Sequence, residues 1–560
     1  MTILYRGGAS RESAEMRRAA ALQGRMDVSS VQEQFASAIP EGLLSGPEAG
    51  EWSRDRVYSL CRTFWGFVWQ AVHSHASCRA AVRQIQAAMA GSPVRVAGNT
   101  SAYCQARGRL PMSLIQGAME AAAASADGQA PEGAGTLNGR KVRVVDGSSV
   151  QIADTPANRK VYPYPSGVKE GCGFPVMGFI ALYSLGSGAV QRIATGRHTR
   201  HDYTLFRLLW RHLRPGDIVL GDRAFCAFEA FAALASRGVD MVARLHQKRK
   251  LDAAALRPLG DGDYVTVWAK PRAIPARSRM TRAQFDALPR TIRVRLVMVD
   301  VEQFGFRTRK IRLATTLLDP LAYPAKDIAA LYLRRWRLEI CFRDIKATMR
   351  MEQLRCQTPS MARKELLAFL TAHNLVRLMA AKAARLHGAD PSRISFKGTV
   401  DTICLSLAFG ECAVTAKNVR KLDALLERIA KDIVPLRPGR TEPRAVKKRP
   451  KNYQILTAPR HQFKEIHHRS KYKRKSKNTA RTCLSWCHSC LSLCCPCPCC
   501  RHEKLVALGK MPTLPVTGVQ TFHSRYWHHD RSALMAHEAR PRVIAVMPQL
   551  LFAGSHRVID

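Results

Sequence analysis

Acidic residues are in short supply in this chain: 43 Asp plus Glu stand against 88 Lys plus Arg in 560 residues, leaving a formal net charge of +45. A surplus of that size bears on partners rather than on fold, and the commonest partner of such a field is a nucleic-acid backbone. A ribosome-like or generally adhesive basic protein is the plainer alternative. Long apolar runs are missing too, since nothing approaches the roughly 18 consecutive apolar residues that a membrane-spanning helix needs. The opening stretch MTILYRGGASRESAEMRRAA turns polar after Tyr5 and lacks the charged, apolar and small-residue order of a signal peptide. Paired cysteines are absent from most of the chain: Cys61, Cys78, Cys104, Cys172, Cys226, Cys341, Cys356, Cys404 and Cys412 are scattered singly, which is the usage of reduced intracellular proteins and not of a disulfide framework. A cytoplasmic, nucleoid-associated protein without membrane contact is expected.

What is present divides the chain by period and composition. Residues 1–26 are polar and Arg-rich and read as a loose leader. Residues 27–124 carry apolar positions at three- and four-residue spacing, as in WSRDRVYSLCRTFWGFVWQAVH, and predict an all-helical N-terminal domain that binds DNA. The stretch SAYCQARGRLP within it is either part of a DNA-reading helix or a surface helix. Residues 125–139, SADGQAPEGAGTLNG, read as a linker. Beyond it, Val- and Ile-rich runs such as KVRVVDGSSVQI and PVMGFIALYSL alternate with helical segments, predicting an α/β domain over 140–385 with extra strands over about 247–318. A helical and basic region over 386–477 follows, with polybasic VKKRPKNY and HHRSKYKRKSK.

Two carboxylates stand where apolar runs stop: Asp146 in VRVVDGSS and Asp222 in DIVLGDRAF. Each is expected at the carboxyl end of a strand, the edge at which α/β sheets place their sites, although such residues also merely cap the next turn. A third, Glu339, sits among cations in YLRRWRLEICFRDIK. On a regular α-helix at about 100° per residue, Tyr332, Arg335, Glu339 and Lys346 fall within roughly 60° of one another. They would form one polar stripe beside an apolar one. A solvated face with ion pairs at i,i+4 explains such a stripe as well. Three carboxylates can instead hold a pair of Mg²⁺ or Mn²⁺ ions, hard cations that prefer oxygen and clamp the attacking and leaving oxygens of a phosphoryl displacement. Arg335 and Lys346 then suit the phosphates of the strand being cut.

Tyr332, Arg335, Glu339 and Lys346 reproduce the Y-x2-R-x3-E-x6-K signature of the DDE transposases of the fourth insertion-sequence family, which the chain resembles from about Met26 to Lys475. DTPANRKVYPYPSGVKEGCGFPVMG also resembles the family's loop after the first catalytic Asp. The resemblance implies an RNase H-like catalytic core with a β-rich insertion, behind the helical N-terminal domain, and makes Asp146, Asp222 and Glu339 the catalytic, metal-holding triad. It implies cut-and-paste transposition by two-metal hydrolysis and strand transfer, on double-stranded DNA of transposon ends and target, by a homodimer. Tyr332, Arg335 and Lys346 would contact DNA. Some relatives stack a flipped base on a tryptophan of the insertion, for which Trp268 in YVTVWAK is the candidate and a buried sheet tryptophan the alternative. The interval of 117 residues from Asp222 to Glu339 leaves room for the insertion. An RNase H-like nuclease without strand transfer, or a catalytically retired transposase that only binds DNA, are the rival readings.

Eight cysteines crowd into CLSWCHSCLSLCCPCPCC, Cys483 to Cys500. Only Cys487 and Cys490 have the spacing of a zinc-ligand pair, and the rest is too compressed and Pro-interrupted to close a tetrahedron. Residues 478–560 therefore read as a non-homologous extension. His201 and His246 read as ordinary polar residues and not as ligands.

Overall fold

A computed structural model describes residues 35–44, 57–74, 76–89, 95–168, 171–246, 249, 251–300, 310–408, 416–435, 459 and 462. The leader (1–26), most of the polybasic stretch and the Cys-rich extension (478–560) lie outside the described residues. The chain divides into two compact units, and nearly all described residues belong to the first, which comprises 1–168, 173–454 and 541–560.

The helical sequence before the sheet folds as α1 (Leu60–Val72), α2 (Cys78–Ala88), α3 (Ser101–Arg109) and α4 (Met112–Gln129). Ser59 and Ser77 start the first two helices, each side chain accepting from a backbone N–H three residues on, Arg62 and Ala80. In α3 the buried Tyr103 donates to Gln70 at 2.8 Å, so this helix is packed on one side. The expected linker begins instead as the last turns of α4, because Ala126 is buried and Asp127 accepts from Arg143 and Ser187 of the sheet. Small and polar residues there serve close packing, not chain freedom.

Nine strands then build one sheet: β1 (Arg140–Gln151), β2 (Val176–Ser184), β3 (Val190–Arg197), β4 (Ile218–Gly221), β5 (Asp240–Arg244), β6 (Arg257–Gly260), β7 (Asp263–Ala269), β8 (Thr291–Asp300) and β9 (Lys310–Thr315). Their order is β3-β2-β1-β4-β5-β9-β8-β7-β6, with a two-residue strand, Thr136–Leu137, paired to the start of β1. β1, β4 and β5 are mutually parallel, and every other neighbour is antiparallel. The strands expected over about 247–318 thus continue the central sheet through the β5–β9 pair.

One face of the sheet carries α1 to α4 together with the long α9 (Pro359–His387) and, beyond it, α10 (Phe396–Ala408) and α11 (Ala416–Lys431). The other face carries α5 (Asp202–Leu209) and α6 (Phe228–Ala235). The N-terminal helices share a hydrophobic core with Val142, Val144 and Leu366, so they form a layer over the sheet and not an independent body. Thr358 caps α9, Pro359 occupies its first turn and Gly388, at φ 64°, ends it. Inside, Asn374 accepts from Val190 N at 2.8 Å and donates to Met119 O and Val190 O at 2.9 Å, joining α9, α4 and β3.

Between sheet and α9 runs the segment that carries the signature. It comprises α7 (Ala325–Leu333), a 3₁₀ turn (Arg334–Trp336), α8 (Arg337–Arg343) and a π turn (Asp344–Thr348). Arg295, fully buried, fixes its entry by a two-pronged pair with Asp263 (2.8 and 2.5 Å) and by donating to the carbonyls of Leu317, Asp319 and Tyr323.

Candidate active site

Asp146 is the seventh of twelve residues of β1, not its last. The strand runs on because its antiparallel neighbour β2 stays paired to Gln151, whereas parallel pairing with β4 stops at Val144↔Leu220. Asp146 therefore emerges where one neighbour has left the strand. The same offset, continued two residues, brings Asp146 level with Asp222, the first residue after β4. Asp222 caps a short 3₁₀ turn, its Oδ1 accepting from Ala224 N at 2.8 Å. The capping reading and the site reading hold together here, since the cap uses one oxygen. Asp146 Oδ1 accepts from Gly147 N at 2.8 Å, and its Oδ2 lies 3.4 Å from the Arg335 guanidinium.

The signature residues do not share an open stripe. Tyr332 and Arg335 are buried, at 2% and 7% exposure. The 3₁₀ and π turns change the angular step along the segment, so a regular 3.6-residue wheel loses phase across it. Arg335 lies 5.7 Å from the Tyr332 ring centroid. Burial pushes the Tyr332 phenol above its ordinary range; Arg335 opposes this and the Asp222 charge adds to it, which places the ring in the field of the same carboxylate. Lys346 lies in the π turn, where burial pulls its ammonium down to about 8 against the charge of Glu352. Glu339 is on α8, between Arg335 and Lys346 in the chain, and its side chain lies outside the described residues.

Two features beside these were not read from the sequence. Asp344, buried in the π turn, pairs with Arg377 of α9 at 2.6 Å and with Arg343 at 3.5 Å, tying the end of α8 to the helical layer. Asp202 opens α5 and stands against Gly147, the residue after Asp146. Burial raises its carboxyl, His201 opposes that, and the charge of Asp222 adds to it. No local pattern announces either contact, because each joins residues more than thirty positions apart. His201 is the cap of α5, its ring accepting from Tyr203 N at 3.2 Å.

Trp268 lies elsewhere, in β7 on the α5–α6 face. It is 5% exposed, with the Phe231 ring centroid at 5.2 Å and the Arg249 guanidinium 3.8 Å over its ring. Among the described residues no group of three His, Cys, Asp or Glu stands together as a metal cage. Two described carboxylates, Asp146 and Asp222, with Asp202 close by and only oxygen donors among them, have the chemistry that hard divalent cations prefer.

Residues 137–375 match the family described as the transposase DDE domain. The transposase InsG for insertion sequence element IS4 of Escherichia coli strain K12 is 26% identical over 332 residues, which is 58% of this chain and 70% of that protein. Among solved structures, the piggyBac transposase synaptic complex with hairpin DNA aligns over 73% of this chain and 84% of its own, at a TM-score of 0.36 and 11% identity. Asp146, Asp222 and the α8 segment all fall inside the matched span, and the chain belongs to the DDE transposases, as a relative of the IS4 enzyme.

Proposed function

We propose that the protein cuts an insertion sequence out of duplex DNA and joins its ends to a target, with Asp146, Asp222 and Glu339 as the catalytic carboxylates of an RNase H-like core. The observation that carries this reading is the pairing of β1 with β4, which sets Asp146 and Asp222 level on adjacent parallel strands. The strand order supports it as well: the first five strands run 3-2-1-4-5 with only the second reversed against the parallel set and the third antiparallel to it in turn. The described carboxylates suit Mg²⁺ or Mn²⁺, and two such ions, when bound, would supply charge stabilisation to the oxygens of an in-line phosphoryl displacement.

This chain's own residues would do the rest. Asp146 and Asp222 would hold the cations from the sheet and Glu339 from α8. Arg335, already beside Asp146, would orient a phosphate of the cut strand, and Tyr332 would brace Arg335 from below. Lys346, half-sheltered in the π turn, would bind a further phosphate. Trp268 could stack on a base only by giving up Arg249, which now lies over its ring. The surplus of 45 positive charges fits a protein that engages two ends and a target, as a homodimer in the nucleoid would.

Pre-cut ends with a free 3′ hydroxyl, mixed with supercoiled target DNA and Mg²⁺, test the reading. Joined products are expected. Cleavage of intact ends without joining would leave a nuclease, and binding without either would leave a retired transposase.

A further inference from the structure

We propose that Asp202 is a positioning residue of this site, its carboxylate holding the water shell of a divalent cation carried by Asp146 and Asp222. The inference rests on the active-site reading above. Its first support is the space at Gly147. A Cβ built there would lie 2.5 Å from Asp202 Cγ and Oδ2 and 2.8 Å from Oδ1, closer than real side chains come. Gly147 lies within β1 and outside the positive-φ glycines, so the backbone does not require glycine; the Asp202 carboxylate does. The strand is bare at the one position that lets a third carboxylate reach it beside Asp146.

An aspartate at a helix start has an ordinary explanation in the helix dipole, worth about 0.3–1 kcal/mol. Here that explanation falls short on two counts. The cap of α5 is already made by His201. An aspartate serving only the dipole could also turn to solvent, whereas this one turns to the strand and into the field of Asp222, a like charge. Neither Lys nor Arg is among the charges that act on it, among the described residues. Negative charge gathered against its own repulsion implies a cation to offset it. Because Asp146, Asp202 and Asp222 do not close a metal cage among themselves, Asp202 acts through water, which Mg²⁺ in particular retains when protein carboxylates bind it. Partners of that kind typically set metal affinity by about 10–100-fold.

The test is Mn²⁺ titrated by calorimetry into the full chain without DNA, for the parent, Asp202→Asn, Gly147→Ala and Asp146→Asn. Asp202→Asn is expected to weaken Mn²⁺ binding about 10–100-fold while melting at the parent temperature in chelator. Gly147→Ala, which pushes the carboxylate off the strand, should move affinity in the same direction. If Asp146→Asn loses Mn²⁺ and Asp202→Asn binds it as the parent does, the role of Asp202 is overturned and the active site stands. If Asp146→Asn also binds as the parent does, both fall. Should Asp202→Asn not fold, Asp202→Ser, a good residue for a helix start, carries the same two outcomes.

Discussion

Burial pulls the Lys346 ammonium down to about 8 from its ordinary 10.5, so the side chain is fully charged only below that point and is lost as a cation between pH 8 and 10.5. The sign is fixed by which state holds the proton more tightly. The unfolded chain does, so folding stability rises with pH across that window while the phosphate-binding charge fades. End-DNA affinity should therefore fall from about pH 7 to about pH 9.5 more steeply in the parent than in Lys346→Arg, whose guanidinium stays charged throughout. Equal pH profiles would show that Lys346 does not meet phosphate. Asp344 is a residue of another kind, buried between two guanidiniums with Arg377 at 2.6 Å. Arg377→Ala leaves it short of its main partner, and a loss of about 3 kcal/mol is expected in urea unfolding. Because the same pair ties the end of α8 to α9, cleavage should drop by more than the stability loss alone explains.

At the scale of elements, Asn374 joins two helices and a strand through three hydrogen bonds. Asn374→Leu strips all three and should cost about 2 kcal/mol, read as a lower midpoint in chemical unfolding. Strands and helices of this kind were legible in the sequence because their periods are local: the all-buried VMGFIALYS run and the stop at VLGD point directly to β2 and to Asp222. What was not legible depends on partners. The Asp146 strand extends beyond its carboxylate because β2 extends with it, and SADGQ stays helical because Ala126 and Asp127 find the sheet. The even helical wheel over Tyr332 to Lys346 fails for a similar reason. The 3₁₀ and π turns follow from docking between sheet and α9, with Asp344 pulled to Arg377, and nothing in the local spacing foretells them. Asp202 was hidden altogether, since its role is written in the missing side chain of Gly147, 55 positions earlier.

For the whole molecule, the charge of +45 makes a direct statement about salt. Log K for duplex DNA should fall linearly with log salt, with a slope of about −0.9 per phosphate neutralised, and a flat response would remove the nucleic-acid partner. The N-terminal helices share one core with the sheet, so removing residues 1–124 should leave an insoluble remnant and not a free catalytic domain. The central claim, that strand-borne aspartates and a helix-borne glutamate form one metal-dependent cutting site, is tested most directly at Glu339. Gel shift and cleavage are measured on the same end DNA in Mg²⁺, for the parent and for Glu339→Gln, which keeps shape and helix propensity but removes the charge a cation needs. The predicted result is parent-like or slightly tighter binding with no free 3′ ends; cleavage near the parent rate would contradict it.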